Sequence, residues 1–186
     1  MRILAVSGSL RRHSYNTQLL RAAIEAAPEG VEVELWDRLH DVPLYDQDLD
    51  TTEPLESVRR LREAWGSADA ILFSTPEYNG SIPGVLKNAV DWASRPVREA
   101  ALTNKTVSVI GASNGQFGAM WAQTDLRKVL GTAGARVVGD ELPVARASEK
   151  FDREGRLIDG ELFERLRLVL GTLAAEAAVP PAVVRV

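Results

Sequence analysis

The chain contains 186 residues, of which 45% are hydrophobic and 26% are charged, the balance of an ordinary globular domain. Its formal net charge of −4 offers no basic surface to nucleic acid, and the lack of cysteine excludes disulfides, thiolate nucleophiles and the common zinc frameworks. Two histidines are too few for a histidine-rich site, so we expect no metal. The opening apolar run is too short for a signal peptide or a membrane span, which predicts a cytoplasmic protein without a membrane partner.

Short hydrophobic runs predict five β-strands, at residues 2–8, 31–36, 69–76, 105–113 and 134–139. The first, third and fourth runs are nearly continuous, which is typical of parallel strands covered on both faces. The second run, "VEVELW", alternates between apolar and acidic residues and is typical of an edge strand with one side partly wet.

Apolar residues at helical spacing predict helices that alternate with these strands. The faces that they form are Leu20, Ile24 and Ala27; Leu55, Val58, Leu61 and Trp65; Leu126, Val129, Leu130 and Ala133; and Leu162, Leu166, Leu170, Leu173 and Ala177. This alternation predicts an α/β fold, a doubly wound five-stranded parallel sheet in three layers. Right-handed crossovers and the edge strand favour the strand order 2-1-3-4-5. We expect one domain over residues 1–178, with a long polar loop at 39–54 and a C-terminal tail at 179–186.

Three predicted loops are unusually rich in glycine, hydroxyl and amide groups, at residues 7–16, 74–84 and 111–118. Each loop follows the carboxyl end of a strand. Ligands in doubly wound sheets bind beyond these strand ends. The three loops therefore predict a single site.

The first loop, "SGSLRRHSYN", contains neither the G-x-G-x-x-G pattern of dinucleotide sites nor a closing G-K-[ST]. It provides the donors Ser7, Ser9, Ser14 and Asn16 and the charged fork of Arg11 at a helix N-terminus. This donor set suits a terminal phosphate monoester. The alternative is a plain helix cap made by Ser14 or Asn16, with arginines that face solvent.

The second loop, "STPEYNGSIPG", combines two prolines with two glycines. Pro76 fixes the exit from the strand, and Glu77, Tyr78 and Asn79 then project from a rigid turn at the edge of the sheet. Such backbone and amide groups suit a flat heteroaromatic ring. The alternative is an ordinary strand-to-helix turn with a buried tyrosine.

Together, "GSLRRHSYN", "PEYNGSIPGVLKNAVDW" and "GASNGQFG" resemble the NADPH-dependent FMN reductase family of flavodoxin-like proteins, which includes quinone, azo-dye and chromate reductases. The resemblance covers residues 1–140, with the motifs in the right order and spacing. It implies a bound FMN that is reduced by NADPH or NADH and reoxidised by a quinone or a similar small acceptor.

By this resemblance, the FMN phosphate is held by Ser9, Arg11, Ser14, Tyr15 and Asn16. The isoalloxazine and ribityl groups are contacted by Pro76, Glu77, Tyr78 and Asn79, with Ser113 and Gly115 along the other edge of the ring. No catalytic side chain is expected, because the chemistry belongs to the cofactor. The resemblance also implies a homodimer or homotetramer joined through the helices after the second and third loops, which carry Trp92 and Trp121; the core is the alternative place for both tryptophans.

Several alternatives remain open from the sequence. A flavodoxin-type electron carrier is the second candidate, although carriers usually present a strongly acidic docking surface and this chain is only weakly acidic. A nucleotide-binding protein without redox chemistry is the third. Arg95 and Arg98 either meet the 2′-phosphate of NADPH or face solvent, and Asp125 and Arg127 either take part in chemistry or belong to a charged helix face.

Because the loops cover one flavin face, both substrates must use the other face in turn, which predicts ping-pong kinetics.

Overall fold

The computed structural model describes residues 1–97 and 99–180, so Arg98 and residues 181–186 of the expected tail lie outside the described residues. The described residues contain six strands and five α-helices that build the sheet and position its loops. They are β1 (Arg2–Ser7), α1 (Tyr15–Glu25), β2 (Glu32–Trp36), α2 (Glu56–Ser67), β3 (Ala70–Ser74), α3 (Gly84–Ala93), β4 (Thr106–Ala112), α4 (Met120–Thr132), β5 (Arg136–Val137), β6 (Leu142–Val144) and α5 (Gly160–Ala177). Within these ranges, no helix is both long enough and apolar enough to cross a bilayer.

The strands form one sheet in the order β2-β1-β3-β4-β5, with every pairing parallel. Ile3 in β1 lies opposite Val33 of β2 on one side and Ala70 of β3 on the other. The predicted strand order is confirmed. The alternating run is the edge strand, where Val33 is buried while Glu32 and Glu34 are exposed.

The position beside β4 is filled by two separate pieces of chain. β5 pairs with Thr106 and Val107, and β6 pairs further along β4, with residues 110–112. The predicted strand over 134–139 is therefore longer than the observed β5. It cannot extend to Gly139, because this residue adopts a φ of 67° that a strand does not accommodate. β6 was not predicted, since Pro143 at its centre disfavours a strand assignment.

Helices cover both faces of the sheet and give the three predicted layers. α1 and α5 pack on one face and α2, α3 and α4 on the other. The predicted face of α5 is confirmed, with its four leucines buried. Two predicted core positions are wrong, because Ile24 and Leu55 are 41% and 42% exposed. In α1 the buried stripe runs through Leu19, Leu20 and Ala23, which leaves Ile24 at its edge.

The long loop at 39–54 is fastened to α3. Trp92 is fully buried, and its Nε1 donates to the carbonyl oxygen of Pro43 at 2.9 Å. Asn88 donates to the same oxygen at 2.7 Å and accepts the main-chain N–H of Tyr45 at 2.7 Å. Trp92 thus belongs to the core of α3, whereas Trp121 on α4 is 48% exposed.

Candidate functional site

Three loops lie side by side at the carboxyl edge of the sheet: the first loop (8–14), the second loop (75–83) and the third loop (113–119). Main-chain hydrogen bonds continue the strand pairing into each of them. Gly8 donates to the carbonyl of Ser74 at 2.8 Å, Thr75 to that of Ile110 at 2.9 Å, and Ser113 to that of Val144 at 3.0 Å. The structure therefore brings together the three loops that the sequence singled out.

The first loop packs directly against the start of the second. A Cβ atom on Gly8 would lie 2.8 Å from the Cδ2 of Leu86 and 3.3 Å from the Cδ of Pro76. A side chain at this position would require the side chain of Leu86 to shift. Glycine is therefore required here for the close approach of two loops rather than for an unusual backbone angle.

Asn16, in the first turn of α1, connects this helix to the ends of β3 and β4. Its buried side chain donates from Nδ2 to the carbonyl of Ala112 at 3.0 Å. Its Oδ1 accepts the Ser74 hydroxyl and the Ala112 N–H, both at 2.9 Å. The side-chain oxygen and one of the two side-chain N–H groups of Asn16 are thus bonded to the protein.

The N-terminus of α1 presents free donors. The first amides of a helix have no carbonyl partner within the helix, and here the side chain of Ser14 at the N-cap position does not bond to them. The first turn of α1 contains no acidic residue, whereas Glu56 and Glu161 occupy the first turns of α2 and α5. Exposed Arg11 precedes α1. The amides, the helix dipole and this guanidinium together favour an anion.

Hydroxyl groups set the shape of the first loop. Ser7 Oγ accepts the hydroxyl of Thr17 at 2.9 Å and the main-chain N–H of Ser9 at 3.3 Å. Ser9 Oγ in turn accepts the N–H of Arg11 at 3.3 Å. Thr17 was not predicted as a site residue. Its place next to the loop, in the first turn of α1, could have indicated this contact.

The second loop is a tight hairpin. Asn79 and Gly80 both have positive φ angles, 54° and 75°, and Tyr78 and Ser81 exchange main-chain hydrogen bonds of 3.0 and 3.2 Å. This is the geometry in which an Asn-Gly pair connects two strands. Tyr78 is 53% exposed at the hairpin, so the alternative of a buried tyrosine is wrong, while Pro76 is buried at its base.

Two contacts join the second loop to α4. A carboxylate oxygen of Glu77 accepts the main-chain N–H of Ala122 at 3.1 Å, which caps the N-terminus of α4. The hydroxyl of Ser81 donates to Asp125 at 2.7 Å. The side chains of Glu77 and Asp125 therefore hold the second loop and α4 together.

The remaining charged candidates lie away from the three loops. Arg127 donates to the carbonyl of Gly139 at 2.8 Å and pairs with Glu141 at 3.4 Å, in the connection between β5 and β6. Arg95 follows the end of α3, a helix that runs from the carboxyl edge back toward the opposite edge of the sheet. Within this chain, Arg95 lines a groove between α3 and α4 instead of the site.

The third loop is supported by the segment after β6. Ser113 Oγ accepts the N–H of Gly115 at 3.1 Å, and Gly115 accepts the N–H of Arg146 at 3.3 Å. Arg146 is exposed and has a positive φ of 48°, an uncommon conformation for a residue with a side chain. The sequence did not identify Arg146 as a residue near the site, because its place beside the third loop depends on β6.

Comparison with known proteins identifies the family. Residues 1–149 match the NADPH-dependent FMN reductase family. The chain belongs to this family. An NAD(P)H-dependent FMN reductase of Pseudomonas aeruginosa is 41% identical over 174 residues, 93% of this chain and 93% of the relative. A 2-hydroxy-1,4-benzoquinone reductase of a Burkholderia species is 36% identical over 176 residues, 94% of this chain and 95% of the relative.

Among solved structures, the flavoenzyme NAD(P)H:(acceptor) oxidoreductase FerB from Paracoccus denitrificans superposes with a TM-score of 0.85 and 32% identity, over 95% of this chain and 97% of that one. The predicted family, the flavodoxin-like fold and the enzyme class, a flavin-dependent oxidoreductase that uses NAD(P)H, are confirmed.

We predict that Asn16→Ala weakens the fold at the site. The change removes three hydrogen bonds and leaves buried groups of Ser74 and Ala112 without partners, so the free energy of unfolding should fall by roughly 2–4 kcal/mol. Urea titration of the flavin-free protein measures this. Asn114→Ala is the matched control, because it removes one exposed hydrogen bond, to the N–H of Ser148, and should lower stability by less than about 1 kcal/mol. Equal losses in the two variants would contradict the role given to Asn16.

Proposed function

We propose that this protein is an FMN-dependent NAD(P)H oxidoreductase that passes two electrons to a quinone or a similar small acceptor by a ping-pong mechanism. The observation that carries the proposal is the uncapped, acid-free N-terminus of α1, which is preceded by Arg11 and fixed beside the second and third loops. Residues 1–178 act as one FMN-binding domain. The cytoplasm is the proposed compartment, since it contains the pool of NAD(P)H.

The donor set at the first loop fits the phosphate of FMN. A phosphate monoester carries nearly two negative charges and three acceptor oxygens, which match the amides of Tyr15 and Asn16, the hydroxyls of Ser9 and Ser14, and the fork of Arg11. A nucleotide pyrophosphate would require more glycine for close backbone approach. The donor set therefore supports a mononucleotide flavin.

The other two loops suit the flavin ring and its ribityl chain. The second loop offers its main chain at Pro76 and Glu77 and the exposed groups of Tyr78 and Asn79. The third loop offers Ser113 and Gly115 along the opposite edge. These residues bind and orient the ring, and they leave one face of it toward solvent.

The chemistry is that of the cofactor: bound FMN accepts a hydride from NAD(P)H and gives two electrons to the acceptor. No side chain of the three loops is needed as an acid or a base. Glu77, the one carboxylate within the second loop, is occupied by the N–H of Ala122. We therefore assign binding and orientation, and no catalytic side chain, to this chain.

A flavodoxin-type electron carrier is the second candidate. The curated relatives of this chain are named as FMN and quinone reductases, which favours the enzyme. Steady-state turnover with NADPH, NADH and a panel of quinones tests the proposal. Multiple turnovers without any protein partner support the enzyme, whereas oxidation of at most one NAD(P)H per protein would favour the carrier.

We predict that Arg11→Ala weakens FMN binding by roughly 1.5–3 kcal/mol, because it removes a hydrogen bond to a charged group. Riboflavin, which lacks the phosphate, should bind the variant and the original protein about equally. Fluorescence titration of both flavins against the flavin-free proteins measures this. Arg12→Ala is the control, since Arg12 is also exposed and has no place in the donor set. An equal loss for riboflavin would show that Arg11 supports the fold instead of the phosphate.

We predict parallel double-reciprocal plots when the rate with NAD(P)H is measured at several fixed quinone concentrations. The three loops occupy one side of the ring, and the long loop at 39–54 is fastened to α3 by Asn88 and Trp92. We therefore expect the two substrates to use one face of the ring in turn. Lines that intersect with saturating FMN would contradict the single-face arrangement.

We infer that the protein forms a homodimer or a homotetramer through α4. Phe117, Met120 and Trp121 are 45%, 40% and 48% exposed at the start of this helix. The rings of Phe117 and Trp121 lie 4.8 Å apart. A contiguous exposed apolar surface of this kind supports association between proteins.

We predict that Trp121→Ser lowers the oligomeric mass measured by light scattering during size-exclusion chromatography. The substitution removes a large apolar side chain from the patch on α4 and should shift the protein toward the monomer. Leu168→Ser is the control, because Leu168 is 71% exposed on α5, on the other face of the sheet. A monomeric wild type, or the same shift in both variants, would contradict this interface.

A further inference from the structure

A small hairpin follows β6 and has no part in the three loops described above. In this hairpin (residues 150–158), Phe151 pairs with Leu157 across two antiparallel arms. The carboxylate of Asp152 accepts the N–H groups of Glu154 at 3.0 Å and Arg156 at 2.8 Å, which fixes the turn. The base is closed by an ion pair between Lys150 and Asp159 at 2.6 Å. The hairpin is therefore a defined unit with its own hydrogen bonds.

The hairpin packs against the first turns of α1. Phe151 is only 6% exposed, and its ring stacks on that of Tyr15, with centroids 5.8 Å apart and planes inclined by 28°. One turn further along α1, a Cβ on Gly155 would lie 2.9 Å from the side-chain amide of Gln18. Tyr15 and Gln18 are three residues apart and share a helix face. The hairpin thus covers the face of α1 next to the first loop.

The stack continues to the residue proposed to meet the phosphate. The guanidinium carbon of Arg11 lies 5.4 Å from the centroid of the Tyr15 ring, within the range of a cation–π contact. Arg11 and Phe151 therefore both contact the ring of Tyr15, and of these two contacts Phe151 is buried and Arg11 is exposed. A long arginine side chain loses rotamer freedom when it binds a ligand, and a ring that holds it in place beforehand reduces that loss.

We propose that Phe151 is a positioning residue for FMN: it fixes the ring of Tyr15, which in turn orients Arg11 toward the phosphate. Phe151 belongs to the hairpin and acts only through Tyr15. This inference rests on the proposed function of the first loop as the phosphate site. It assigns to the hairpin a part in the selection of FMN over flavins without a phosphate.

The test compares FMN and riboflavin binding to Phe151→Leu. Leucine keeps an apolar side chain in the core but removes the ring that stacks on Tyr15. The affinity for FMN should fall about 3- to 10-fold, the range expected when one long side chain is no longer held in place before binding, and the affinity for riboflavin should change less than about twofold. Phe151→Tyr retains the ring and should keep the FMN preference of the wild type. Phe163→Leu, in α5, is the matched control for loss of a phenylalanine that packs on the same core, and it should leave the preference unchanged.

A double-mutant cycle with Arg11→Ala separates this inference from the proposed phosphate site. If Phe151 acts through Arg11, then Phe151→Leu has no further effect on FMN affinity once Arg11 is alanine. Equal losses for both flavins in Phe151→Leu, or losses that add to those of Arg11→Ala, would overturn the positioning role alone. If Arg11→Ala itself leaves the preference for FMN unchanged, the proposed phosphate site fails and this inference fails with it.

Discussion

The side chain of Asn16 forms three hydrogen bonds across the carboxyl edge of the sheet, to the Ser74 hydroxyl and to both main-chain groups of Ala112. Each hydrogen bond that a buried amide loses lowers the free energy of unfolding. The ends of β3 and β4 and the start of α1 must therefore keep one arrangement. The remaining site geometry depends on this arrangement. Together with the main-chain hydrogen bonds of Gly8 and Thr75, Asn16 keeps the free amides of α1 at a fixed distance from the second and third loops.

Electrostatics then distinguishes α1 from α4 and α5. The N-terminus of α4 receives the carboxylate of Glu77, and that of α5 is capped by Asp159, which accepts the N–H of Leu162 at 2.9 Å. α1 has no such carboxylate in its first turn. The positive ends of α4 and α5 are thus neutralised by the protein itself, whereas that of α1 remains available to a ligand with negative charge. An acidic residue in its first turn would oppose the phosphate that we propose for this position.

The sequence was sufficient for the features that depend on local chemistry. The alternating hydrophobic run and the crossover rule predicted the edge strand and the strand order, and the prolines and glycines of the second loop predicted a rigid turn. The features that were missed depend on contacts between distant parts of the chain. The committed side chain of Asn16 is one, since its partner Ala112 is 96 residues away. The support of the third loop by Arg146 is another, because β6 is defined by its pairing with β4 and not by a hydrophobic pattern of its own.

The polar side chains around the site hold the loops in place, and this explains why the site contains few reactive groups. Asn16, Glu77 and Ser81 all lie in the predicted loops or beside them, yet the polar groups of each are bound to the protein and set loop positions. The groups left for a ligand are mainly main-chain amides, hydroxyls and Arg11. Such donors bind and orient a cofactor but do not transfer protons at neutral pH, which suits an enzyme whose reactivity is supplied by a flavin. The side chains of Tyr78, Asn79 and Phe117 face solvent at the exposed rim of the site.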